Sequence, residues 1–110
     1  MVSKLSGFQE YVGLWNVKTF PQSTTTGHLN HIKREVDELE SELKLMVSNP
    51  CQNVRNVAEE AADIFILLLS IAHRFEFDLM VAAADKMRTL QSRSWNEADK
   101  DGVFTHITED

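Results

Sequence analysis

Glu60-Ala61-Ala62-Asp63-Ile64-Phe65-Ile66-Leu67-Leu68-Leu69-Ser70-Ile71 is the stretch on which the fold turns. It holds no Gly or Pro, and from Ala61 to Ile71 only Asp63 and Ser70 interrupt the apolar residues. It belongs to a helical pattern running from about Asn53 to Arg74. A helix that is apolar on every side must be buried on every side. Three neighbouring helices in a small monomer would leave one of its faces wet. The expectation is therefore a homo-oligomer with this helix in a shared core; the alternative is a central helix wrapped by its own neighbours and tail. The apolar run is too short to cross a bilayer, which takes about 20 residues.

Working outward, Gly and Pro fall where breaks are wanted. Ser48-Asn49-Pro50 marks one break, Pro21 with Ser23-Thr24-Thr25-Thr26-Gly27 another, and Asp101-Gly102 a turn near the end. A first helix is expected from about Ser6 to Lys18, with Phe8, Tyr11, Val12 and Trp15 on one stripe. A second runs from about Thr26 to Val47, with Leu29, Ile32, Val36, Leu39, Leu43 and Met46 three and four apart and Thr25 or Thr26 as its cap. A fourth starts at Asp78, a good N-cap, and runs to about Arg93. Val103 to Ile107 reads as a short extended tail. No stretch alternates over sheet length, so the fold is expected to be all-α. With 110 residues the chain reads as one domain, 1–110, with a four-helix core over about 6–95 and a tail over 96–110.

Composition narrows the function. Hydrophobic residues at 43% are too many for a disordered chain. A net charge of −6 argues against a nucleic acid polymer as partner, because that requires clustered Lys and Arg. A small anionic ligand remains compatible, since a bound cation reverses the local field. The single cysteine, Cys51, permits no internal disulfide and reads as a small packed thiol rather than a nucleophile. Met1 to Gly7 lacks the apolar core of a signal peptide. No membrane association and a cytoplasmic location are expected.

Two acidic motifs remain: Glu35-Val36-Asp37-Glu38 and Glu60-Ala61-Ala62-Asp63. Each sets two carboxylates three apart on one side of a helix. On the second helix, at about 100° per residue, His31, Glu35, Glu38 and Glu42 form a band between the apolar stripe and solvent. On the third, Asp63 lies inside the apolar run, where an unpaired carboxylate is costly to bury and is normally paired, protonated or metal-bound. A structural salt bridge is the plain alternative. If the two helices form an antiparallel hairpin turning at Asn49-Pro50, Glu38 faces Glu60 and Glu35 faces Asp63. Four acids at two matched levels would repel and raise one another's pKa. A hard divalent cation removes that conflict, and magnesium, with its preference for oxygen ligands and substrate phosphates, suits the set. No Cys or His lies at zinc-like spacing, and no Glu-x-x-His pair of the di-iron kind occurs.

These motifs, Glu35-x-x-Glu38 and, after the gap Leu39 to Glu59, Glu60-x-x-Asp63, resemble the signature of the MazG-like nucleotide pyrophosphohydrolases. The resemblance extends to the aliphatic setting of Glu59-Glu60-Ala61-Ala62-Asp63-Ile64. It also covers Lys86-Met87 with Arg93 and Trp95, which look like the family's phosphate-binding segment. It spans about Trp15 to Trp95. Where the family often has an Asn between that Lys and Arg, this chain has Leu90 and Gln91. The resemblance implies an all-α protein that forms dimers or tetramers and hydrolyses nucleoside triphosphates to monophosphate and pyrophosphate, in many members to clear surplus or non-standard nucleotides.

On that reading Glu35, Glu38, Glu60 and Asp63 hold Mg2+, with Mn2+ as a substitute, and Glu38 or Glu35 serves the attacking water as base. Lys86 and Arg93, seven apart on one helix face, clamp the triphosphate; the alternative is a solvated face. Trp15 and Phe20 could stack on a base, or Trp15 could pack the core. His28 and His31 flank the start of the second helix, where a capping or surface role competes with ligand contact. Trp95 could close the site or pack the tail. The rival function is a non-catalytic helical oligomerisation or partner-binding module with a degenerate metal site.

Overall fold

The computed structural model describes residues 4–49 and 53–108. The Pro50 turn, Cys51 and Met1 to Ser3 lie outside them. Four helices follow in order: α1 (Lys4–Thr19), α2 (Thr25–Ser48), α3 (Arg55–Arg74) and α4 (Leu79–Ser92). The only pairing of extended backbone among the described residues is an isolated antiparallel bridge between Trp95 and His106. The fold is all-α, as the sequence pattern predicts. No described helix is long and apolar enough to cross a membrane.

The chain divides into two compact units, Met1–Leu79 and Met80–Asp110. In the first, α3 packs against both α1 and α2. The start of α2 is set by Thr24 rather than Thr25 or Thr26: its side chain accepts from Gly27 N at 3.0 Å, and its carbonyl accepts from His28 N at 3.0 Å. Asn53 Oδ1 accepts from Arg55 N and tightens the entry to α3. At the other end, Gln9 Nε2 donates to Phe77 O at 2.7 Å and its Oε1 accepts from Leu79 N at 3.0 Å, tying α1 to the chain leaving α3. Glu76, with φ of 58°, lies in the turn that follows α3.

The buried face of α1 differs from the expected aromatic stripe. Phe8, Tyr11 and Trp15 are about half exposed or more; Gln9, Val12, Gly13 and Asn16 face inward. Hydropathy misreads this face because two of its members are polar groups matched by hydrogen bonds. Gly13 belongs there for steric reasons: a Cβ at that position would lie 2.0 Å from the His73 ring of α3. On α2 the inward seam is His28, Ile32, Glu35, Leu39, Glu42 and Met46, in alternating steps of four and three. Leu29, Val36 and Leu43, one seven-residue row of the expected stripe, stay about half exposed.

The apolar girth of α3 is covered only in part. Leu67, Leu69, Ser70 and Ala72 are buried, whereas Ala61, Ala62, Asp63, Phe65 and Leu68 are exposed within this chain. The cause is the reach of α1, which runs antiparallel to α3. Gln9 meets Phe77, Gly13 meets His73, and Asn16 shares a cleft wall with Ile66 and Leu67. α1 therefore covers the C-terminal half of α3 and leaves the N-terminal half to α2. The expected burial of Asp63 fails for that reason.

In the second unit, residues after α4 fold back on themselves. Asn96 N donates to Thr105 O, Ile107 N to Ser94 O, and Asp99 N to Val103 O. Gly102, with φ of 77°, takes the left-handed corner. Trp95 stacks edge-on against His106 at 6.4 Å.

Candidate metal and nucleotide site

The α2–α3 pair brings three of the four motif carboxylates together. Oxygens of Glu35, Glu38 and Glu60 lie within 4.8 Å of one another, with Glu35 buried, Glu38 exposed and Glu60 in between. The hairpin register read from the sequence set Glu38 against Glu60; in the structure Glu60 meets both Glu38 and Glu35. The Glu60 carboxyl is raised to about 7, first by its hydrogen bond with Glu35, then by desolvation and by its hydrogen bond and charge contact with Glu38. Asp63, one turn further along α3, stands outside the three-oxygen cluster and lines the adjoining cleft with Glu35.

Glu35 is the pivot. It is only 9% exposed. Its Oε1 lies 3.1 Å from His31 Nε2, one turn back on α2, while its Oε2 is buried with no hydrogen-bond partner, as is Oε2 of Glu60. A buried carboxylate oxygen without a donor is unfavourable in proportion to its charge. Two of the three cluster residues carry such an oxygen, and a divalent cation fits the set: it would accept hard oxygen donors and relieve the repulsion that now lifts Glu60.

Beside the cluster lies a cleft of about 780 Å³, lined by Trp15, Asn16, Phe20 to Ser23, Gly27, His28, His31, Glu35, Asp63, Ile66 and Leu67. Most of its wall is apolar, with a few convergent polar groups, the usual make-up of a small-molecule site. Trp15 and Phe20 meet edge-on at 5.5 Å, and both stay about half exposed. Arg74, at the end of α3, holds the loop between them and α2: its guanidinium donates to Ser23 O at 2.7 Å and reaches Ser23 Oγ and Thr25 Oγ1. Of the ligand candidates read from the sequence, Trp15, Phe20, His28 and His31 line this cleft. Lys86, Arg93 and Trp95 belong to the second unit.

Sequence reasoning missed Asn16, buried at the cleft wall with His28. His28 Nδ1 lies 2.9 Å from Thr24 O, and Nε2 lies 3.2 Å from the Asn16 amide oxygen position. The signal was available as Asn16 and His28 sharing the inward positions of two adjacent helices, but an Asn between Trp15 and Val17 has no hydropathy signature. Arg74 was missed as a loop anchor for the same reason.

No family profile matches the chain. The sequence is 30% identical over 103 residues to a dATP/dGTP diphosphohydrolase of Salmonella phage PMBT28; the match takes in 94% of this chain and 31% of that protein. The chain thus spans about a third of the length of that relative. Among solved structures, the MazG-like pyrophosphohydrolase of cyanophage S-2L, bound to dGDP and three catalytic Mn2+ ions per active site, superimposes with a TM-score of 0.72 at 24% identity, over 98% of this chain and 97% of that one. The chain therefore has the MazG-like all-α fold.

Proposed function

We propose that this chain is a nucleotide pyrophosphohydrolase, converting (deoxy)nucleoside triphosphates and water to nucleoside monophosphate and pyrophosphate. The observation that carries the reading is the carboxylate cluster with its two unpartnered buried oxygens, opening on an apolar-walled cleft of nucleotide size. Glu35, Glu38 and Glu60 would hold Mg2+, or Mn2+ in its place, and Asp63 at the cleft edge would join them. When bound, the cation polarises the phosphate oxygens and makes water more acidic.

The chain's own groups do the rest. Glu38, the exposed member of the three, would orient the attacking water and take its proton. His31 fixes Glu35 from one turn away, so that the buried carboxylate keeps one oxygen toward the cluster. Trp15 and Phe20 offer aromatic faces to a base at the cleft wall. Lys86 and Arg93 are assigned to the phosphates from the sequence pattern, as bearers of positive charge where negative charge develops.

Purine deoxynucleotides are the first substrates to test, since the relative is a dATP/dGTP diphosphohydrolase and the structural neighbour holds dGDP. The activity suits clearance of surplus or non-standard nucleotides, and the half-exposed apolar faces of α2 and α3 suit a homodimer or homotetramer. The test is a panel of ribo- and deoxyribonucleoside triphosphates incubated with Mg2+ or Mn2+, scored for monophosphate and pyrophosphate in equal amounts. Failure to release pyrophosphate from any of them with either metal overturns the proposal and leaves the helical binding-module reading.

A further inference from the structure

The cleft has a polar corner away from its carboxylates. Asn16 on α1 and His28 on α2 are 8% and 7% exposed, both line the cleft, and they are hydrogen-bonded to each other. His28 and Glu35 lie on one seam of α2, about 10 Å apart along its axis. That is the order of separation between the base edge and the phosphates of one nucleotide. Trp15, next to Asn16 in sequence, and Phe20 supply the aromatic wall alongside.

The donor pattern of this corner is fixed from the backbone outward. The carbonyl of Thr24 can only accept, so His28 Nδ1, 2.9 Å away, carries a proton. Thr24 is itself held as the cap of α2 through Gly27 N. With the Nδ1 proton spent on Thr24, Nε2 is the acceptor nitrogen of the ring. The Asn16 amide, whose two ends are alike in shape, meets that acceptor through its NH2. Its carbonyl oxygen is then the end left to the cleft. The hydrogen-bond chain Gly27–Thr24–His28–Asn16 thus sets which face an otherwise ambiguous amide presents.

We infer that Asn16 is a specificity-determining residue that reads an exocyclic amino group of the nucleobase through its carbonyl oxygen, with His28 as the positioning residue that fixes the amide. The inference rests on the pyrophosphohydrolase reading above. A base that donates an amino hydrogen to this oxygen satisfies it on binding. A base of the same shape without the amino group leaves it buried and unpaired, and a site built around a hydrogen bond discriminates strongly against such an analogue.

Two substrate pairs differ in that group alone: dGTP against dITP, and dATP against the triphosphate of purine deoxyriboside. The expected result for the unsubstituted protein is a ratio of kcat/KM of roughly 10 or more in favour of the amino-bearing member of at least one pair. In Asn16→Ala that ratio falls to near one because the amino-bearing substrate loses more rate than the analogue does. In His28→Ala the ratio also falls, although Asn16 is retained, because the amide is free to turn; a purely structural role would lower both members of the pair together. A ratio near one in both pairs for the unsubstituted protein overturns the inference and needs no variant to fold. A ratio that survives in Asn16→Ala overturns it too. Either result with pyrophosphate still released leaves the proposed activity standing, whereas no pyrophosphate from any triphosphate removes the activity and this inference with it.

Discussion

At the scale of single residues, Glu60 carries the clearest consequence of crowding three carboxylates. Its carboxyl rises from 4.5 to about 7 on folding, first through Glu35. The folded chain then holds that proton more tightly than the unfolded chain. In the metal-free protein the resulting stability is fully present below about 4.5 and is lost as the pH climbs to about 7. Thermal melts without divalent ions should therefore decline across this window. Adding Mg2+ or Mn2+ should restore stability most at its upper end, with a proton released on binding near pH 6.5 by calorimetry in two buffers. Glu60→Gln keeps the size of the side chain and removes the titrating group. It should melt at the same temperature as the parent or higher without metal, lose most of the metal-induced rise in melting temperature, and lower kcat/KM by about 100-fold or more. A variant that melts several degrees lower and still turns over would mean that the carboxylates serve packing, not metal.

Among the elements, the α1–α3 contact is the most demanding. Gly13→Ala puts a methyl group 2.0 Å from the His73 ring, and overpacking of this kind costs about 1–3 kcal/mol. The melting temperature should fall by several degrees. His73→Ala should recover part of the loss when added to Gly13→Ala, the coupling expected of residues in contact; additive losses would place the strain elsewhere. How far the elements were legible follows from what each residue type reveals. The helices were readable from their apolar spacing, Pro21 and Gly102 fall outside them, and α4 begins at Leu79, directly after Asp78. The meeting of Glu35, Glu38 and Glu60 was readable because antiparallel packing of α2 on α3 brings their acidic motifs together, although the expected pairing of Glu35 with Asp63 gave way to one of Glu35 with Glu60. The inward face of α1 was not, since Gln9 and Asn16 are buried through hydrogen bonds with Phe77, Leu79 and His28 that no hydropathy pattern records. The exposure of Asp63 was equally hidden: it depends on where α1 stops along α3, a tertiary fact.

The whole molecule leaves apolar surface that one chain does not cover. Leu29, Val36 and Leu43 on α2, and Phe65 and Leu68 on α3, are about 40–50% exposed or close to it, and a shallow groove of about 490 Å³ runs along Val36, Leu39, Leu43 and Val47. Such faces favour association. Light scattering at micromolar concentration should give a dimer or tetramer, and Val36→Glu should shift it toward the monomer; a monodisperse monomer before substitution contradicts the assembly proposal while leaving the site intact. In the proposed reaction the α2–α3 carboxylates serve hydrolysis at the α-phosphorus of a nucleoside triphosphate. The most direct measurement is turnover of dATP and dGTP with Mg2+ in 18O-labelled water, with the products weighed by mass spectrometry. One labelled oxygen is expected in the monophosphate and none in the pyrophosphate. Label in the pyrophosphate, release of inorganic phosphate instead, or no turnover with either nucleotide would contradict it.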